Sequence, residues 1–218
     1  MYFIQKDTGA QDLRSGMLPA LNLSTKLSGL WKVNFKSESR ILTLNTRELD
    51  RPEGLHAEYA LTDFSLVISR KIGLGGSLAG GYLHRMRASG ASASRFVQQY
   101  TLVTRSSGLR LAHRFSSDQT FEPNEPATIR LRYRLATEFS LQGQAVDARE
   151  WYLKISNEFL SAWEGTAHDF EGRVVPTLGY AITDSNKLET AIDYRLDGLR
   201  SDRLRHTVWW AVTWYVSL

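Results

Sequence analysis

A two-residue alternation of apolar and charged side chains, held over long segments, limits what this chain can fold into more than any other feature. Between Thr128 and Leu141, Ile129, Leu131, Tyr133, Leu135, Phe139 and Leu141 keep one phase, while Arg130, Arg132, Arg134, Glu138 and Ser140 keep the other. Successive side chains of a strand point to opposite faces, so this period predicts a strand with one apolar and one ionic face. The last segment repeats it: His206, Val208, Trp210, Val212, Trp214 and Val216 alternate with Arg205, Thr207, Trp209, Ala211, Thr213 and Tyr215. Trp151–Phe159, Arg173–Ile182 and Lys187–Leu196 behave alike. Earlier strands are expected at Leu21–Leu27, Leu30–Arg40, Glu58–Ile72, Ser77–Arg87, Phe96–Arg105 and Leu109–Phe121. No segment carries a convincing helical period, and no apolar run approaches the roughly 18 residues of a membrane-crossing helix.

The phase slips near Asp63, which predicts a bulge there. Pro176, inside a strand, predicts local strain or a second bulge, because proline cannot donate to a ladder. Short turns are expected at Ser28-Gly29, Lys71–Gly76, Ser106–Gly108 and Asp184–Asn186. Longer polar loops are expected at Leu44–His56, Ala88–Ser94, Glu122–Pro126, Trp163–Glu171 and Asp197–Arg203, and Gln142–Arg149 is longer than the other short connections. No linker divides the chain, so residues 1–218 read as one domain, with 1–18 either a poorly ordered segment or part of a first strand. About eleven strands are legible. Bacterial membrane barrels usually have an even number, which favours about twelve, the extra one near the N-terminus, over ten.

Periodicity gives phase and not direction. A soluble barrel turns its apolar phase inward, as in a lipocalin-like calyx that holds an apolar ligand. A membrane barrel turns it outward. Segments of 10 to 14 residues suit a tilted membrane crossing, and Trp31, Trp151, Trp210, Trp214, Tyr180 and Tyr194 lie on the apolar phase, where they would form interfacial girdles. The terminal strand ending at Leu218 suits a barrel that closes on it. The expectation is therefore an all-β, closed antiparallel transmembrane barrel with short periplasmic turns and longer outer loops. A composition of 42% hydrophobic and 23% charged residues agrees, since alternation averages the two faces. Met1–Lys6 lacks the features of an export signal, so either the numbering starts after one or the barrel is not in a membrane.

Further residues carry a resemblance. Gly80–Arg85, Arg95–Tyr100, His113–Phe115 with Asp118-Gln119, Arg130–Leu135, Tyr152–Glu158 and Arg173 leading to Leu178–Tyr180 occur in an order and spacing that resemble an uncharacterised family, domain of unknown function 2490. The resemblance spans about Leu21 to Leu218 and implies a Gram-negative outer-membrane barrel, most typical of Bacteroidota. It implies no reaction and carries no catalytic residues.

On the ionic phase stand Arg85, Arg110, Arg114, Arg130, Arg132, Arg134, Glu138, Lys154, Glu158, Arg173, Glu189, Asp193 and Arg195. In a membrane barrel these line the lumen, either as a charge network that plugs it or as a path that favours anions. The main alternative is an outer-membrane lipid hydrolase, which needs a serine within reach of a histidine. None of His56, His84, His113, His168 and His206 has a serine two positions further along its own strand, so only a cross-strand pair within about 3 Å would supply one. No catalytic residue, cofactor or metal site is expected. There is no cysteine, no histidine pair at ligand spacing, and Gly73–Gly76 reads as a turn. The net charge of +4 is scattered along the chain, unlike the clustered footprint of a nucleic-acid binder. The expected partners are outer-membrane lipid and, through the C-terminal strand, the barrel-assembly machinery, with the protein otherwise a monomer.

Overall fold

The computed structural model describes residues 12–45, 57–106, 109–143, 145–199 and 204–218. Every regular element in it is a strand: β1 (Asp12–Lys26), β2 (Trp31–Asn45), β3 (Glu58–Ile72), β4 (Gly76–Arg87), β5 (Ser92–Ser106), β6 (Leu109–Phe121), β7 (Thr128–Ser140), β8 (Glu150–Glu164), β9 (Ala167–Thr183), β10 (Asn186–Asp197) and β11 (Arg205–Ser217). Each strand pairs with its sequence neighbours, and β1 pairs with β11, so the sheet closes into a barrel with no free edge.

Eleven strands close the ring, one short of the twelve expected. The added N-terminal strand is not needed, because β1 begins at Asp12, nine residues before the strand read at Leu21; the rest of the 1–18 segment lies outside the described residues. The expected all-antiparallel order fails at one seam for a reason of parity. In an up-and-down chain the eleventh strand runs the same way as the first, so β1 and β11 pair in parallel, from Asp12 opposite Arg205 to Ser24 opposite Ser217. Backbone bonds tie both ends of this seam, Asp12 N–H to Leu204 O at 3.2 Å and Leu218 N–H to Ser24 O at 2.8 Å.

The irregularities follow from particular residues. The slip read near Asp63 is a bulge at Ala60, where Arg40 faces Leu61 and Ile41 faces Tyr59. Pro176 stays in register with Ile155 of β8. On its other side the β9–β10 ladder breaks between the Thr177–Ala191 and Val174–Tyr194 pairs, where proline brings no N–H. Pro19 does the same between β1 and β2, whose pairing lapses from Met17–Ile41 to Ala20–Glu38.

The loop expected at Leu44–His56 lies mostly outside the described residues, and those at Ser106–Gly108 and Asp197–Arg203 lie partly outside them. Elsewhere the loop reading is corrected twice: β5 begins at Ser92, inside Ala88–Ser94, and a second stretch is no loop at all. Trp163–Glu171 is not a loop. β8 and β9 run through it and meet at a two-residue turn, Gly165-Thr166, where Gly165 adopts φ 56°. The connections 88–91 and 122–127, and residues 198, 199 and 204 at the ends of β10 and β11, lie with this turn on one rim, here the upper rim. The lower rim carries the turns 27–30, 73–75 and 184–185, together with the described residues 141–143 and 145–149 between β7 and β8.

The barrel is inside-out relative to a soluble one. Leu131 (51% exposed), Ile155 (49%), Trp210 (50%) and Trp214 (50%) face outward, while Trp209 (3%), Tyr152 (0%) and Asp118 (1%) are buried. The two phases of β7, β8 and β11 are thereby assigned. What the barrel encloses is ionic, so it is not a calyx lined by apolar side chains.

Candidate functional site

The interior carries a connected set of ion pairs, built because alternate residues of every strand point inward. Asp118 of β6 is its hub. Its Oδ1 lies 2.6 Å from Arg130 Nε and 3.5 Å from Arg95 Nε, and its Oδ2 lies 2.9 Å from Arg132 Nη2. Arg130 is placed by register, since it sits opposite Asp118 in the β6–β7 ladder. Thr120, two residues along the same face, accepts from Arg130 at 2.5 Å and from Arg95 at 2.9 Å. Glu158 of β8 forms the next node, with Arg173 at 3.2 Å, Arg114 at 3.6 Å and Arg132 at 3.9 Å. Arg132 therefore joins the two carboxylates.

Two bidentate pairs stand around the hub. Arg85 grips Asp63 through Nε and Nη2, both at 2.7 Å, and Arg195 grips Asp193 at 3.0 and 2.7 Å. Arg173 also pairs with Glu171. Towards the lower rim Glu189 accepts from Lys154 and from the Tyr152 hydroxyl, the latter at 2.9 Å. Arg134 donates to Ser156 at 2.9 Å, and Glu138 faces Lys154 across the β7–β8 ladder. Of the residues expected to line the lumen, Arg110 alone is exposed; it lies next to the β5–β6 connection, opposite Arg105. The others are partly or fully buried.

Two cavities flank the hub. One, of about 200 Å³, is lined by residues from eight of the eleven strands, so it lies on the barrel axis; its lining includes Arg14, Arg40, Arg85, Arg95, Arg130, Arg132, Arg173 and Arg195 with Glu171, Asp197, Thr207 and Trp209. These residues come from the upper-rim ends of their strands. The other, of about 170 Å³, reaches Ser65, Gln99, Ser116 and Glu158. Arg95 and Arg132 line both and form the wall between them. Trp209 packs where β1 has Gly16, at which a Cβ would come within 2.6 Å of the indole. Arg40 stacks its guanidinium 6.0 Å above the same ring. At the upper rim Arg87, the last residue of β4, donates to Glu122, just beyond β6, at 2.7 Å and holds that carboxyl below the usual range.

The periodicity did not single out Asp63, Arg95, Asp118 or Thr120 as site residues. The available signal was phase: Asp118 and Thr120 continue the face that carries Arg114. A second arrangement lies at the Trp163–Glu171 hairpin, whose polar composition has the pattern of a loop. On the outer face, Ser161 Oγ of β8 lies 2.7 Å from His168 Nε2 of β9, and the imidazole stacks on Trp163 with ring centres 4.8 Å apart. Trp163 and His168 are register partners two residues either side of the turn. Beside Ser161 runs an outer groove of about 600 Å³, walled by Leu78, Tyr100, Phe115, Leu131, Tyr133, Phe159 and Phe170. No group of three or more His, Asp or Glu that could hold a metal occurs among the described residues.

The comparisons with curated proteins and with solved structures give no match. A family profile described as protein of unknown function (DUF2490) matches residues 16–213, from the glycine beneath Trp209 to Thr213 in the closing strand. The chain belongs to the DUF2490 family, and its fold is an eleven-stranded closed barrel.

Proposed function

We propose that this protein is an integral barrel of a Gram-negative outer membrane, with a narrow lumen plugged by the Asp118–Glu158 ion-pair network. The observation that carries the reading is the inverted disposition of the two faces. Soluble monomers rarely expose contiguous apolar patches beyond a few hundred Å². Here Leu66 of β3, Leu78 of β4, Phe96 of β5, Phe115 of β6, Leu131 of β7, Ile155 of β8, Val174 of β9, Ile192 of β10 and Trp210 of β11 are all exposed, on successive strands around the wall. Aromatic rings edge that belt: Trp31, Trp151, Tyr180 and Trp214 towards the lower rim, Tyr59, Phe121 and Trp163 towards the upper. Trp151 and Trp163 are twelve residues apart on β8, which at about 3.4 Å per residue and a tilt near 40° spans roughly 30 Å. That separation suits girdles flanking a bilayer core. Lipid is then the partner of the wall, and the terminal strand is what assembly machinery would engage. The reading is tested by folding the protein into lipid vesicles and following heat-modifiable gel migration. Insertion with a compact unheated band is expected; a protein that stays in solution and migrates identically with and without heating overturns it.

A second reading, an outer-membrane lipid hydrolase, is favoured by Ser161 and His168. A serine hydroxyl 2.7 Å from an imidazole nitrogen, beside an apolar groove, has the geometry of a base-activated nucleophile facing an acyl chain. It stands second because strands spend their N–H groups in the ladder, leaving no pair of backbone donors for an oxyanion. Fluorophosphonate labelling decides it. Labelling lost in Ser161→Ala would establish the hydrolase; an unlabelled wild type removes it.

A further inference from the structure

The upper axial cavity is an unevenly neutralised chamber. Around it and the hub, eight guanidiniums (those of Arg40, Arg85, Arg95, Arg114, Arg130, Arg132, Arg173 and Arg195) share five carboxylates, Asp63, Asp118, Glu158, Glu171 and Asp193, while Arg14 and Asp197 add one charge of each sign to the lining. The imbalance is local. Asp118 serves three arginines, and Asp63, gripped by Arg85, leaves Arg40 at 3.9 Å. Arg40 Nε and Arg132 Nε are buried without a hydrogen-bond partner. Both side chains line the chamber, as does Asp197, whose buried Oδ1 also has no partner, so two unpartnered guanidinium donors face one unpartnered carboxylate oxygen and positive charge prevails in one space.

We propose that this chamber is a binding site for a small, doubly charged oxyanion of the phosphate or sulfate class, a conclusion that rests on the ionic barrel interior described above. Three properties select the ligand. Guanidinium forks match the oxygen edges of tetrahedral oxyanions and bind them bidentately. A halide carries one charge and has no oxygen edge to match a guanidinium fork, so it neutralises less of the excess and forms no bidentate pair. The volume of about 200 Å³ equals the liquid share of roughly six or seven waters, enough for a free oxyanion and too little for a lipid headgroup with its glycerol. The chamber lies at the upper rim, so the ligand enters from that side, and the Arg95–Arg132 wall stops it there.

The test uses the full chain folded in detergent micelles, titrated calorimetrically with inorganic phosphate and with sulfate, and with chloride at matched ionic strength. Saturable binding of phosphate and sulfate near one per chain, and none of chloride, is expected. Arg40→Gln should weaken it at least tenfold while keeping the compact unheated gel band. If Arg40→Gln does not fold, competition between sulfate and phosphate on the unaltered protein still decides the point, since one shared site predicts mutual displacement. No saturable heat with either oxyanion, equal responses to all three anions, or a folded Arg40→Gln that binds as tightly as wild type overturns the proposal. Gel migration and vesicle insertion report the membrane reading separately: phosphate binding without insertion sinks that reading alone, and insertion without phosphate binding sinks the chamber alone.

Discussion

Single side chains fix the interior. Asp118 is the clearest: with three guanidiniums on one buried carboxylate, its loss leaves cations packed together without their counter-charge. Removing one partner of a buried ion pair costs about 3–5 kcal/mol, and Asp118→Asn is expected to lower stability by that order, read from urea unfolding in vesicles. Gly179 makes a different demand. A Cβ there would lie 2.6 Å from Tyr152 Cε1, so Gly179→Ala should cost about 1–3 kcal/mol by overpacking, and adding Tyr152→Ala should recover less than additively. Glu122 gives the pH dependence outside the wall. Its hydrogen bond from Arg87 depresses the folded-state pKa, so its contribution is present above the unfolded value of about 4.3 and is lost as pH falls through the folded one. Protection of 122–127 against hydrogen exchange, taken relative to the intrinsic rate at each pH, should therefore fall on acidification below that range, and the fall should be absent in Glu122→Gln.

Strands were the most legible level of this molecule. The two-residue period over Thr128–Leu141 locates β7 to within a residue, and Trp210 against Trp209 correctly separates the two faces of β11. Legibility failed where the backbone departs from simple alternation. Pro19 sits inside β1, upstream of the segment read as its start, and the Trp163–Glu171 stretch has enough polar residues to resemble a loop although it forms a tight hairpin. That second miss hid the Ser161–His168 contact, which exists only because a two-residue turn brings the strands into this register. Element-scale burial also gives a sharp test. Ile155 lies outward on β8 between Trp151 and Trp163, so Ile155→Arg should cost roughly 2–4 kcal/mol of insertion free energy if that wall meets lipid. Unchanged folding yield into vesicles would count against the lipid-facing assignment.

At the scale of the whole barrel, the hidden quantity was pairing across strands. Sequence phase placed Arg130, Arg132 and Arg134 on one face but could not show that Asp118 and Glu158 would sit between them, because those contacts depend on register between β6, β7 and β8. The network predicts a conductance signature: planar-bilayer recordings of wild type should show low or no conductance, with anion preference in any open events. Arg132→Ala, which opens the wall between the two cavities, should raise the conductance, and cation preference would contradict the charge imbalance. The odd strand number has a topological cost for protein engineering. Because β1 and β11 run side by side in the same direction, the start of the first strand and the end of the last lie at opposite mouths of the cylinder. Joining them to make a circular permutant would need a tether as long as the barrel is tall. New termini cut into any hairpin would therefore have to be bought with a strap running through the charged bore or along the greasy wall, a requirement that an up-and-down barrel of even strand number escapes.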